Sequence, residues 1–248
     1  MIQGEIMKNL YKKKARKESD LFLIEGKKYI LEIPMDWEIV KYIISKSFAD
    51  TNNLSQFSNR ANIEIVKDSI FKQYSDTVTP QGIIAIVRQK AYEVKKILSK
   101  NALILIGENL QDPGTIGTLA RTATAAGASG FVLTKGSCEI YSPKVIRSSA
   151  GAILRLPFIT DIDINSIIEI LKQNNIKIIA CHPRDGQFSC DMKESCAIII
   201  GNESRGLTNI ALTLADEIIT LPMTNETESL NAGISGSIIL YEAVRQRY

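Results

Sequence analysis

Histidine is nearly missing from this chain: there is one, His182, in 248 residues. A single imidazole cannot build a multi-histidine metal centre or a mechanism that passes protons between histidines. Cysteine is scarce too, and the four present (Cys138, Cys181, Cys190 and Cys196) form no CxxC pair. They stand beside aliphatic segments, which points to reduced thiols in a cytoplasmic protein rather than a disulfide frame or a zinc site. No apolar run approaches the roughly 18 residues of a membrane span. The segment from Met1 to Lys17 has no apolar core ahead of a small-residue cleavage site, so no secretory signal is expected. Two nucleotide signatures are absent as well. Gly114 and Gly117 are misplaced for GxGxxG, and GxxxxGK[ST] does not occur, which disfavours nicotinamide and nucleoside-triphosphate chemistry.

What is present supports a sizeable core: 45% of residues are hydrophobic and 23% charged. The length allows one large domain or two modest ones. The formal net charge of +3 is nearly uninformative until the chain is divided. Residues 1–96 carry 17 basic and 12 acidic side chains, net +5, whereas residues 97–248 carry 13 and 15, net −2. The excess gathers at Lys8, Lys12, Lys13, Lys14, Arg16 and Lys17. Such a run neutralises phosphates and releases counterions, which makes nucleic acid a candidate partner. It equally fits a solvated amphipathic helix, and charge alone leaves both readings open. There is no aromatic interleaving of the kind used for base stacking.

Residues 1–96 read as a small α/β unit. Residues 5–17 are expected to be helical, Leu21 to Glu25 extended and Gly26 to Leu31 helical. Glu38 to Ile44, Ile63 to Val66 and Gly82 to Val87 have the β-branched character of strands. The charged stretch from Arg88 to Lys100 reads as a linker. From Ala102 the pattern becomes strand, loop, helix, repeated. Expected strands are ALILIGE, FVLT, LPFIT, KIIACH, AIIIGNE and EIITLPM. Expected helices are 114–127, 142–153, 165–174, 207–215 and about 229–247. Continuous aliphatic runs such as AIIIG imply strands buried on both faces, hence a parallel sheet covered by helices.

In such a sheet ligands gather at loops beyond the carboxyl ends of strands. Three of these loops hold the least ordinary residues: ENLQDPGTIGTLARTATAAG (108–127), GNESRGL (201–207) and LPMTNETESLNAGISGSIILYEAVRQR (221–247). In these three segments, in this order and spacing, the chain resembles the SpoU (TrmH-type) RNA ribose methyltransferases of the SPOUT superfamily, across residues 103–247. The N-terminal KKKARKESDLFLIEGKKYI is similar to the ribosomal-protein-like RNA-binding extension of that family. The resemblance implies S-adenosyl-L-methionine as methyl donor and a ribose 2′-hydroxyl of RNA as acceptor. It also implies a deep C-terminal trefoil knot around the cofactor pocket, and a homodimer with the active site at its interface. Periodicity alone leads to an ordinary doubly wound sheet without a knot.

Residue by residue, the resemblance implies that Gly201, Leu221 and Leu230 surround the adenosine part of the cofactor. Physical reasoning agrees for two of them. Gly201 ends a buried strand, where a missing Cβ admits close approach. Leu221 precedes Pro222 and is therefore biased to an extended backbone with its polar groups free to pair. Arg121 matches the family's essential arginine, and Glu203, Ser229 and Asn231 match its other polar active-site positions. A guanidinium stays protonated, so Arg121 is expected to clamp the target phosphate and polarise the 2′-hydroxyl rather than act as base. Glu203 is expected to fix its own loop or the partner subunit's copy of Arg121. Ser229 and Asn231 open the last helix, where either can serve as its cap. Lys12, Lys13, Lys14, Arg16 and Lys17 are the expected RNA contacts, and no metal is expected.

The chain departs from the family pattern at Thr115, where Asn is usual, and loses a two-ended amide there. Asn109 in the same loop is a candidate substitute. Ser204 stands where small residues such as Gly are common. His182, at the end of a strand, reads as a loop histidine without chemistry. Residues 1–96 are thus expected to hold RNA and residues 97–248 to bind cofactor and dimerise, with ribosomal RNA ahead of tRNA. A non-catalytic RNA-binding or assembly factor that kept the fold is the alternative of a different class.

Overall fold

The computed structural model describes residues 4–184, 186–224 and 228–248, with side chains from Met7 onward; residues 225–227 of the third loop lie outside these. The chain divides into two compact units: Met1–Lys90 with Tyr141–Ile146, and Ala91–Ile140 with Arg147–Tyr248.

In the first unit the elements run α1 (Gly4–Asn9), α2 (Lys13–Ser19), β1 (Leu21–Glu25), α3 (Lys27–Leu31), β2 (Ile39–Ser45), α4 (Lys46–Thr51), α5 (Ser55–Ser58), β3 (Asn62–Val66), α6 (Asp68–Tyr74) and β4 (Ile83–Arg88). The sheet order is β1-β4-β2-β3, with β4 antiparallel to both neighbours and β2–β3 parallel. The apolar run IIAIV in β4 makes it a central strand buried on both faces. Ile84 and Ile86 pack with Met7, Leu10 and Phe71. Phe22 and Trp37 pack with Tyr141, whose hydroxyl bonds both the N–H and the carbonyl of Lys90.

Two expectations fail here. The helix over 5–17 is broken, because Leu10 turns into the core and its carbonyl accepts a 2.8 Å bond from Arg16. Arg16 is buried by this contact and so leaves the set of expected RNA contacts. The helix α6 was not anticipated, since only Phe71 of its seven residues is buried and so short an element shows little periodicity.

The second unit contains β5 (Leu103–Gly107), α7 (Pro113–Ala125), β6 (Gly130–Thr134), β7 (Phe158–Ile162), α9 (Ile164–Gln173), β8 (Lys177–Cys181), β9 (Cys196–Ile200), α10 (Asn209–Leu214), β10 (Glu217–Ile219) and α11 (Ala232–Arg247); α8 (Pro143–Ser148) lies between β6 and β7 in the chain. All six strands are parallel, in the order β10-β8-β9-β5-β6-β7. Alternate side chains face opposite layers. Ile104, Ile106, Ile178 and Ile199 join Ile167, Ile168 and Leu171 of α9 and Ala211 of α10. Helices α7 and α11 pack on each other and on the strands β6 and β9. The fit is close: a Cβ on Gly236 would come 2.5 Å from Leu119 Cδ2, and Thr122 and Ser237 exchange a 2.9 Å hydroxyl bond.

Helix ends are where expectation and structure part. The helix over 142–153 stops at Ser148 because Ala150 (φ 49°) and Gly151 (φ 76°) take left-handed conformations. The last helix starts at Ala232 rather than 229. Its cap is Asn231, whose Oδ1 accepts from the N–H of Gly233 (2.9 Å) and Ile234 (3.3 Å), so Ser229 is not the cap.

The far end of α11 is clasped onto the sheet. The Arg247 guanidinium donates to the carbonyls of Met192, Asn101, Ala102 and Glu194, while Gln246 bonds both Cys190 and Met192. Charge-assisted bonds of this kind each contribute about 1.5–3 kcal/mol. Arg247→Met is therefore expected to lower the unfolding free energy of this unit by about 2–3 kcal/mol. In the same urea titration Arg245→Met, which removes one exposed ion pair with Glu242, should cost below about 1 kcal/mol.

Candidate active site

Parallel neighbours β5 and β9 end side by side, Gly107 opposite Ile200, so the loops that follow leave the sheet together. Side chains lace them in both directions. The buried Glu108 accepts from the Thr208 N–H (2.9 Å) and hydroxyl (2.7 Å), and Thr208 in turn caps α10. Asn202 Nδ2 donates to the Asn109 carbonyl at 2.7 Å. The Glu203 carboxylate accepts from the N–H groups of Gln111 (3.3 Å) and Asp112 (3.1 Å). Asp112 then caps α7, its Oδ2 accepting from the Thr115 N–H (2.8 Å) and hydroxyl (3.3 Å). Thr115 is buried by this arrangement, and its hydroxyl completes the cap. Asn109 takes a left-handed conformation (φ 52°), and its Oδ1 is buried without a hydrogen-bond partner.

The second loop is a compact turn. Asn202 and Gly206 exchange both main-chain bonds, and Asn202 Oδ1 accepts from the N–H groups of Ser204 and Arg205. Gly201 is required by this turn. A Cβ there would lie 2.4 Å from Gly206 C and 2.5 Å from Leu207 N. The glycine therefore admits the chain's own backbone, whereas the sequence suggested room for a ligand.

Beside this turn lies a cavity of about 300 Å³, within the range of small-molecule sites. All three expected cofactor residues, Gly201, Leu221 and Leu230, line it, together with Glu203 and Ser229. The N–H and carbonyl of Leu221 and Leu230 have no hydrogen-bond partner among the described residues. A ligand in the cavity thus meets main-chain donors and acceptors that the fold has not used. Asn231 is committed to capping α11 at the cavity's edge. Arg121 is not among the lining residues. It sits on the exposed face of α7, with no hydrogen bond or ion pair among the described residues.

Two lining residues carried no chemical expectation. His182 Nδ1 lies 2.6 Å from the Arg184 carbonyl and 3.4 Å from the Arg184 N–H. Burial pushes the Cys181 thiol up to about 12, so it stays protonated and unreactive at neutral pH.

Comparison with known proteins follows the same division of the chain. Residues 102–241 match the model of the SpoU rRNA Methylase family, and residues 6–85 match the MRM3-like substrate binding domain. A 23S rRNA (guanosine(2553)-2′-O)-methyltransferase of Bacillus subtilis, RlmP, is 30% identical over 236 residues, covering 94% of this chain and 92% of its own. The crystal structure of an RNA 2′-O ribose methyltransferase superposes with TM-score 0.81 at 27% identity, covering 99% of this chain and 96% of that one. The SpoU methyltransferase AviRb of Streptomyces viridochromogenes, in complex with AdoMet, shares the fold with TM-score 0.89 at 24% identity, covering 100% of this chain and 98% of that chain. Among the described residues no helix is long and apolar enough to cross a membrane, and no three or more His, Cys, Asp or Glu are grouped to hold a metal ion.

Gly201→Ala is expected to force the 202–206 turn outward and to cost about 1–3 kcal/mol of stability, as overpacking does, seen as a lowered melting temperature. Glu203→Gln should leave the fold intact but speed deuterium exchange at the Gln111 and Asp112 amides, because a charged acceptor is replaced by a neutral one.

Proposed function

Since the chain belongs to the SpoU rRNA methylase family, we propose that it transfers a methyl group from S-adenosyl-L-methionine to a ribose 2′-hydroxyl of ribosomal RNA. The observation that carries this reading is the cavity at the carboxyl ends of the strands, bordered by unpaired main-chain groups of Leu221 and Leu230. These groups suit the edge of an adenine and its ribose, so Gly201, Leu221 and Leu230 are the residues that would hold the cofactor. When bound, the cofactor supplies an electrophilic methyl on a cationic sulfonium. Glu203 holds the two loops in register, Asn231 fixes the start of α11, and Ser229 offers a hydroxyl at the cavity. Arg121, without a partner among the described residues, clamps the target phosphate and orients the 2′-hydroxyl; holding the reacting groups in line supplies much of the barrier reduction.

In this reading residues 1–96 grip structured RNA, with Lys12, Lys13, Lys14 and Lys17 contributing a basic field, and residues 97–248 bind cofactor and dimerise. A homodimer is supported by the apolar stripe of Ile234, Ile238 and Tyr241, exposed on one face of α11 at helical spacing. The C-terminal trefoil knot and a cytoplasmic location belong to the same proposal.

Titration calorimetry with S-adenosylmethionine, followed by mapping of ribose methylation on unmodified 23S rRNA transcripts, tests the function. Absence of cofactor binding at millimolar concentration overturns it in favour of a binding factor; methylation of tRNA instead replaces the substrate class alone. Arg121→Lys is expected to lower kcat by at least about tenfold without a new ionisation in the pH–rate profile, because lysine lacks the fork. Wild-type-like turnover would rule out the clamp. Ile238→Glu should convert a sedimenting dimer to monomer.

A further inference from the structure

The first unit holds a second cavity, larger than the first, that the proposed reaction leaves without a task. It has a volume of about 530 Å³ and opens between the start of α4, the first turns of α6 and the turn Pro80–Gly82. We propose that this cleft seats one unstacked nucleotide of the RNA substrate, its phosphate against Lys27 and Lys72 and its base edge against Gln81 and Asp68. The inference rests on the RNA methyltransferase reading and assigns where the first unit takes hold.

The cations are the first observation. Several lysines of this unit are tied to carboxylates: Lys14 to Glu18, Lys41 to Glu64, Lys46 to Asp50 and Lys90 to Asp36. The two at the cleft are not. Lys27 Nζ rests on a neutral amide, 2.7 Å from Asn52 Oδ1, with the Phe48 ring centroid 6.0 Å away. Lys72 makes no ion pair or hydrogen bond among the described residues. Ammonium groups that keep their full charge at one cavity are the means of holding a phosphate.

The second observation is a complementary pair of polar groups. Gln81 uses only its Oε1, which accepts from the Lys27 N–H at 3.0 Å, so its amide NH₂ remains to donate. Asp68 Oδ1 accepts from the N–H and hydroxyl of Ser47, and the Ser45 hydroxyl also bonds its carboxylate, whose two oxygens have about four lone-pair sites and so keep capacity to accept. A donor and an acceptor on one wall can read a base edge, whereas phosphate contacts alone carry register without sequence.

The third is rigidity. Ser45 caps α4 through the Phe48 N–H and donates its own N–H to the Gly82 carbonyl at 2.9 Å. Gly82 has φ +83°, and a Cβ on it would lie 2.6 Å from Ser45 Oγ and 2.8 Å from Phe48 Cβ. The wall is pressed together by main chain and stays shaped before any ligand arrives, which lowers the ordering cost of binding. The lysines of α2 have no such setting, lying exposed on one short helix whose Arg16 is buried.

The test uses the full chain, S-adenosylmethionine and an unmodified 23S rRNA transcript, with direct filter binding beside turnover. Lys72→Glu is expected to raise the Kd and KM for RNA at least about tenfold, with the KM for cofactor and the melting temperature unchanged. Lys72→Ala should flatten the slope of log K against log salt by about 0.7–0.9, one phosphate contact. Lys100→Glu makes the same charge change on the second unit and should shift the Kd less than twofold. With 4-thiouridine-substituted RNA, cross-links should fall in peptides spanning 45–52 or 80–82. An unchanged Kd in Lys72→Glu, or cross-links confined to residues 12–17, overturns the proposal. Failure of the methyltransferase reading looks different: the wild-type chain would methylate no RNA, while a Kd that still depends on Lys72 would keep the cleft.

Discussion

The three-way lacing between the loops after β5 and β9 is what the rest of the second unit depends on. Parallel strands deliver their loops to the same edge, where main-chain groups leave the sheet without partners. Here side chains supply those partners across the gap: Glu108 to Thr208, Asn202 to Asn109, and Glu203 to Gln111 and Asp112. Glu108 is buried, and both of its oxygens are taken by Thr208. The consequences run along the chain. Thr208 starts α10, Asp112 starts α7, and α7 carries Arg121 two turns later. Glu203 thus sets the orientation of the helix that bears Arg121, while its own loop forms one wall of the cavity.

The buried layers were readable from residue pattern because they are repetitive. Strands such as AIIIG have one environment on both faces, and no competing element buries five consecutive aliphatic residues. Helix ends were not readable, since each turns on a single residue. Leu10 breaks one helix by entering the core, and Ala150 ends another through a left-handed backbone that nothing in its side chain announces. Ser229 and Asn231 have equal chemical claims to cap α11, and it is Asn231 that stands next to the first helical residue and caps it. At the site, the absence of a Cβ on Gly201 also serves the turn itself, because Gly206 and Leu207 approach it closely. Asn202, which makes five hydrogen bonds through its side chain and main chain, went unremarked because a loop asparagine looks ordinary.

Charge shows the same contrast between composition and placement. The basic excess of the first unit drew attention to the lysine run at its start, yet formal charge does not distinguish a guanidinium spent on a carbonyl from a free one. Arg16 is lost to the Leu10 carbonyl, and Lys14 faces Glu18. Lys27 and Lys72 are separated by 45 positions in sequence and line the same cavity only in the folded chain. A linear run was visible, and two cations brought to one cavity by the fold were not.

Arg121 gives the proposed dimer a chemical purpose. It does not line the cavity of its own chain, and no carboxylate or carbonyl among the described residues holds it. A long cationic side chain on an exposed helix face carries rotamer entropy that one weak surface contact cannot offset. It becomes ordered only by a partner that brings both charge and an apolar footing. Helix α7 is packed against α11, which exposes Ile234, Ile238 and Tyr241. In the proposed homodimer a second copy seated on that stripe would bury the apolar residues. With Arg121 serving the partner's site, cofactor and phosphate would be held by different protomers, and the cationic sulfonium and the guanidinium would not crowd one wall of a single chain.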